Sequence, residues 1–203
     1  MARPSNTEER RGEIVEAMLR VMARQGYAGA SVAAVAREAG LTPGLLHYHF
    51  GSKQEILLAL IERLDGSVQA RFERRAARAR SARARVDAWI DAHLAHDADA
   101  EPAAVACWVA LGNEALSQPE VRASYERVVR ADRERLEVLV REALREEGKR
   151  TSEARRISAG LLAAVEGAFR LAILAPDAIP QGSASSTVRQ MAAGLLAAAG
   201  AAR

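Results

Sequence analysis

The densest constraint on this chain is a run of helix-boundary signals in GYAGASVAAVAREAGLTPGLLHYHFGSKQEILLALIERL, residues 26–64. Ser31 precedes the apolar positions Val32, Val35, Ala36 and Ala39, and its hydroxyl can accept from one of the first free N–H groups of a helix. Gly40 supplies the left-handed residue on which such a short helix stops. Thr42 is then a second N-cap, with Pro43 at the first helical position, where a missing N–H costs nothing. That helix runs to about Phe50; Gly51 breaks it, and Ser52 with Glu55 three residues later forms a capping box opening a longer helix through Ile56, Leu57, Leu60 and Leu64. Upstream, Ile14, Ala17, Met18, Val21 and Met22 recur with the period of one buried helical face, which Gly26 ends. Its start is open between Thr7 and a Ser5 with Glu8 capping box.

The remaining sequence has the same preference. Alanine accounts for 45 of the 203 residues, there are six prolines, and aromatic residues make up 4%. Helices are therefore favoured over sheets throughout, and an all-α chain of about nine helices is expected. Beyond the fourth helix they are expected at roughly 84–96, 101–117, 119–147, 151–175 and 184–200, separated by AHDADAEP, Pro119, EEGKRTS and APDAIPQGSASS. The single cysteine, Cys107, excludes an intrachain disulfide framework and any multi-cysteine metal site. The N-terminus carries charges where a signal peptide needs its apolar stretch, and no uninterrupted apolar run approaches about 18 residues. A cytoplasmic location with no membrane span is expected. The net charge of +3 is too small to identify a nucleic-acid binder. The basic excess is local, in RFERRAARARSARAR at residues 71–85, which reads as an exposed helix face and candidate interdomain connector.

Two short helices joined by a glycine turn, braced by a third, make a helix-turn-helix unit. A short helix pinned at Thr42 and Pro43 can enter the major groove, which is about 12 Å wide. Leu46 and Phe50, four apart, can face inward. Thr42, Gly44, Leu45, His47, Tyr48 and His49 are left to be divided between groove, phosphate and core, Gly44 permitting close approach. SVAAVAREAGLTPGLLHYHFGSKQEILLALIERL resembles the helix-turn-helix of TetR-family transcriptional regulators, including the G-x-L-x-x-H-F-x-S-K core. The resemblance implies that the helix from Pro43 reads operator DNA, that Thr42 caps it and touches backbone, and that Tyr48 and Lys53 contact phosphate. Ser31, Thr42, Pro43, Gly44, Leu45, His47, Tyr48 and Lys53 form the expected DNA-binding set. His47 stands where many members have tyrosine.

The C-terminal half, through Trp108, SQPEVRASYERVVRADRERLEVLVREALREEG and AGLLAAVEGAFRLAIL, resembles the BetI-like branch of that family. This implies a ligand-responsive, dimer-forming helical domain at 66–203 behind a DNA-binding domain at 1–65. The segment 101–117 is apolar nearly all round and should run through the centre of its domain. A pocket is sought among Trp89, His93, Trp108, Asn113 and Phe169, where aromatic surface and a few polar groups can line a cavity. The two tryptophans could also hold a quaternary ammonium. Ile157, Leu161, Ala164, Ala168 and Leu171, with Val188, Ala192 and Leu195, are expected to meet their copies in a homodimer, ordinary intrachain core being the alternative.

The expected function is a homodimeric regulator, a repressor, that binds a palindromic operator in double-stranded DNA and is released by a small-molecule effector. The alternative is a DNA-binding regulator whose C-terminal half binds a protein or no ligand. An enzyme is not expected, since no nucleophile with its base or paired acids appears. No cofactor or metal is expected either: His93 and His96 are three apart but lack the H-E-x-x-H arrangement. Cys107 reads as a small packed hydrophobe.

Overall fold

The structure is a computed structural model, and it describes residues 6–95 and 100–201. Its nine α-helices are α1 (Asn6–Gly29), α2 (Val32–Glu38), α3 (Pro43–His49), α4 (Lys53–Ala76), α5 (Ala82–Leu94), α6 (Pro102–Glu114), α7 (Pro119–Glu146), α8 (Ala154–Leu174) and α9 (Ala184–Ala198) among the described residues. The chain is all-α, with no strand among those residues. Ser5 and His96, named above for a cap and a metal pair, lie outside them.

The caps explain the N-terminal helices. Gly26 takes φ 68° and ψ 177°, kinking α1 where a stop was expected, and a further turn carries the chain to Gly29. The Ser31 hydroxyl accepts from the Ala34 N–H at 3.1 Å. Gly40 has φ 67°, and the Thr42 hydroxyl accepts from the Leu45 N–H at 3.2 Å. Ser52 accepts from the Glu55 N–H, while the Glu55 carboxylate reaches one residue further back than a capping box requires, to the Gly51 N–H at 3.1 Å.

The chain divides into two compact units. The first comprises the residues up to Gly66 together with Glu101–Glu126. Here α1 packs on α2, α3 and α6, burying Ile14, Met18, Met22, Val35, Leu46, Phe50, Leu57 and Ile61 completely or nearly so. The segment Glu101–Glu126, placed with the C-terminal half by its sequence resemblance, folds with this unit because Cys107 and Leu111 are buried on it and the Cys107 thiol reaches the Leu19 carbonyl at 3.3 Å. No residue from Ala103 to Gly112 is exposed, in keeping with an apolar helix covered on several sides. Arg63 of α4 ties the unit together. Its guanidinium donates to Glu16 of α1 at 2.6 and 3.2 Å and to Glu101, at the head of α6, at 2.7 and 2.9 Å.

The second unit holds Ser67–Ala100 and Arg127–Arg203. Its core joins Val86, Trp89, Ile90, Leu136, Val140, Leu144, Ile157, Leu161, Val165, Val188, Ala192 and Leu196. The basic stretch 71–85 is not one helix: α4 ends at Ala76, and Ser81 caps α5 by accepting from the Ala84 N–H. Arg85 pairs with Glu142 at 2.9 Å, and Arg189 of α9 with Asp91 at 3.3 Å. Thr151–Leu174 is long and apolar enough to span a membrane by length and composition. Its Ile157, Leu161 and Val165 are buried in this core, the character of a core helix.

Candidate nucleic-acid interface and sensor core

Helix α3 separates its two faces as its spacing predicts. Leu46 and Phe50 are fully buried, whereas Thr42, Pro43, Gly44, Leu45, His47 and Tyr48 are exposed. Leu45 is 43% exposed and Tyr48 78%. A Cβ built on Gly44 would meet nothing within 4 Å, so the glycine is not required by this chain's own packing and leaves the front of the helix bare. The Ser31 side chain is likewise exposed while it caps α2. His49 is half-buried, its ring edge-on to Tyr48 with centroids 5.1 Å apart.

Lys53 sits differently from a free surface cation. Its ammonium lies 3.7 Å from the centroid of the Tyr27 ring and donates to the Tyr27 carbonyl. Burial pulls its pKa down, with Glu114 opposing that effect. Two donors remain on the ammonium for an outside acceptor.

The five residues named for a pocket fall into two groups. Trp89, His93 and Phe169 belong to the second unit. His93 lies against Trp89 with ring centroids 4.1 Å apart and faces Phe169 at 6.4 Å. Trp108 belongs to the first unit and stacks on Tyr125 at 4.6 Å. Asn113 is exposed. Each tryptophan thus has an aromatic neighbour of its own within its unit.

The sequence reading missed Asp132, at the centre of the first group. It is 8% exposed and accepts from Trp89 Nε1, His93 Nε2 and Arg135, each at 3.0 Å. The signal was available: Val128, Asp132, Leu136 and Val140 recur every four residues, so an acid occupies a position of the buried stripe and needs buried partners. His93 Nδ1 lies 2.8 Å from the Trp89 carbonyl, so both ring nitrogens face acceptors and the doubly protonated ring fits. Burial alone pushes the His93 pKa down, but the charge of Asp132, the hydrogen bonds to Asp132 and Trp89, and Glu166 outweigh it, leaving the net value raised. For Asp132, burial pushes upward and the His93 charge and hydrogen bonds pull the net value below the usual carboxylate range.

Most residues expected at the dimer contact face the core of their own chain. Ile157, Leu161, Ala168, Val188 and Ala192 are buried within the single chain, and Ala164 and Leu195 are partly buried against the same core. Only Leu171 of the set is exposed. Both helices are apolar on more than one side, and the stripe picked from periodicity is the side that packs inward.

These features have counterparts in known proteins. The profile of bacterial regulatory proteins of the tetR family matches residues 14–60, and that of the BetI-type transcriptional repressor C-terminal region matches residues 82–197. The chain belongs to the TetR family, in its BetI-like branch. The HTH-type transcriptional regulator BetI of Rhizobium meliloti (strain 1021) is 35% identical over 164 residues, 79% of this chain and 76% of that protein. The crystal structure of a transcriptional regulator from Rhodococcus sp. Rha1 has a TM-score of 0.80 at 25% identity, covering 98% of this chain and all of that one. A regulator from Saccharomonospora viridis, crystallised in complex with choline, shares the fold with a TM-score of 0.78 at 21% identity, over 97% of this chain and 100% of its own. This TetR-family chain is a transcriptional regulator and not an enzyme.

Proposed function

We propose that the protein is a cytoplasmic repressor that binds a palindromic operator as a homodimer and is released by a small-molecule effector. The observation that carries this reading is the bare front of α3, with Gly44, Leu45, His47 and Tyr48 exposed on a helix pinned by Thr42 and Pro43. Thr42, Pro43, Gly44 and Leu45 enter the major groove. Ser31, His47, Tyr48 and the remaining donors of Lys53 contact backbone. Residues 1–65 carry the DNA-binding function and residues 66–203 sensing and pairing. Helix α4, which has residues in both stretches, transmits the effector signal as a change in the spacing of the two reading heads; several kcal/mol of differential affinity are enough to shift such a population.

Pairing uses the outer face of α8 and α9. Leu171, Ile173, Leu174 and Met191 are 40, 38, 63 and 49% exposed. Gly160, Gly167 and Gly194 meet nothing within 4 Å where a Cβ would stand, so close helix approach is open. Sensing centres on Trp89, His93 and Phe169. Choline, bound by the Saccharomonospora viridis regulator, is the first compound to try. A second reading has its own support: Trp89 is fully buried, and Asp132 is already answered by His93 and Arg135 inside the unit, which favours a C-terminal half that binds a protein or no ligand.

The test is selection of preferred duplexes from a random pool by the purified protein, followed by a screen for compounds that release the enriched duplex. An enriched inverted repeat is expected, and release by one compound class decides for sensing. No enrichment at low ionic strength overturns the DNA-binding reading.

A further inference from the structure

We propose that Arg11 is a further DNA-contacting residue, binding a backbone phosphate beside the C-terminal end of α3 in company with Tyr48. The proposal rests on the reading of α3 as the helix that enters DNA. Arg11 stands 38 residues before His49 in the chain, yet the fold brings its guanidinium to the His49 carbonyl, to which it donates. The same group lies 3.9 Å from the centroid of the Phe50 ring. Phe50 is fully buried, so the ring under the guanidinium is a fixed plate, and the planar fork is held in one place before any partner arrives.

Three features together suit this arginine to an outside partner. Its side chain is exposed, and only one of its five donors is spent on the His49 carbonyl. No carboxylate neutralises it among the described residues, whereas Arg10 is paired with Glu13, Arg20 and Arg24 with Glu38, and Arg63 with Glu16 and Glu101. The residue it grips, His49, also supports the Tyr48 ring edge-on, so the cation and the most exposed phenol of the reading helix flank one residue. A cation at a helix C-terminus is favoured by the helix dipole whatever else it does. That role uses the charge and one donor. The remaining donors match the geometry of a phosphate, which guanidinium groups bind through paired N–H bonds.

The experiment measures binding to a mixed-sequence duplex of about 30 base pairs by fluorescence anisotropy, as log affinity against log salt. The proteins compared are the full chain and its Arg11→Gln and Arg11→Lys variants, with melting temperatures in parallel. Glutamine keeps an N–H for the His49 carbonyl and removes the charge. Arg11→Gln is expected to lose about tenfold in affinity at low salt and to flatten the slope by about 0.9 for each protomer bound, with Arg11→Lys keeping the slope. In the unaltered protein, the Arg11 Nε–H resonance, identified by its loss in Arg11→Lys, is expected to shift when duplex is added; this readout does not depend on how well Arg11→Gln folds. A wild-type salt slope in folded Arg11→Gln, or an Arg11 resonance that ignores DNA, overturns the proposal while leaving DNA binding by α3 intact. A wild-type chain that binds no duplex overturns both.

Discussion

Single side chains here divide between those that face out and those whose charge is settled inside. Replacing Lys53 with Ala should weaken binding to all duplexes alike and reduce the salt slope by about 0.9 per protomer, whereas Leu45→Ala should change which sequences are preferred. Anisotropy on the enriched duplex and a scrambled one checks both, and an unchanged slope in Lys53→Ala would remove that residue from the interface. The His93 and Asp132 pair controls stability instead. Because the native His93 pKa is raised, its contribution is complete below about pH 6.5, the ordinary histidine value, and is lost as pH rises through the native value. Asp132, whose native pKa is lowered, contributes above the ordinary carboxylate pKa and loses that contribution as pH falls through its native value. Urea unfolding across pH should therefore show a stability plateau between the two, and His93→Gln should remove its alkaline limb. Asp132→Ala, which leaves His93, Arg135 and the Trp89 N–H without their acceptor, should cost about 3–5 kcal/mol.

At the level of helices, the legible parts of the sequence were those whose determinants are local. Ser31, Gly40 and Thr42 act on backbone within three residues of themselves, and each cap was found where expected. Arg11 was not legible, because its partners lie 38 residues away and no local pattern points to them. The face that α8 turns inward was misread because alanine and leucine occupy several sides of that helix, and a period of 3.6 residues cannot rank two apolar faces. The covering of α6 was visible in its composition, but its association with α1 was not. That association has a chemical consequence. Burial, with Glu101 adding and Arg63 opposing, pushes the Cys107 thiol up to about 12, so at pH 8 the folded protein should react with iodoacetamide far more slowly than the same protein in urea. Equal rates, read by mass spectrometry, would show that α6 is not seated on α1.

For the molecule as a whole, the inner and outer faces of α8 make opposite predictions. Leu174 is 63% exposed, and Leu174→Glu should keep the helical content of the chain while converting a dimer to monomer by sedimentation velocity and weakening binding to an inverted repeat. Ile157 is 1% exposed, and Ile157→Ala should cost about 2–5 kcal/mol of stability with the sedimenting species unaltered. The reverse pattern would restore the buried stripe as the contact surface. A practical lesson follows from the way Glu101–Glu126 joins the first compact unit through Cys107, Leu111 and the Arg63 bridge. Anyone grafting this reading head onto a foreign sensor by cutting after residue 65 would strip a greasy flank of α1 and leave Arg63 with Glu16 but without Glu101. The transplant should carry residues 101–126 as a second, discontinuous piece, or it will arrive sticky and half-built.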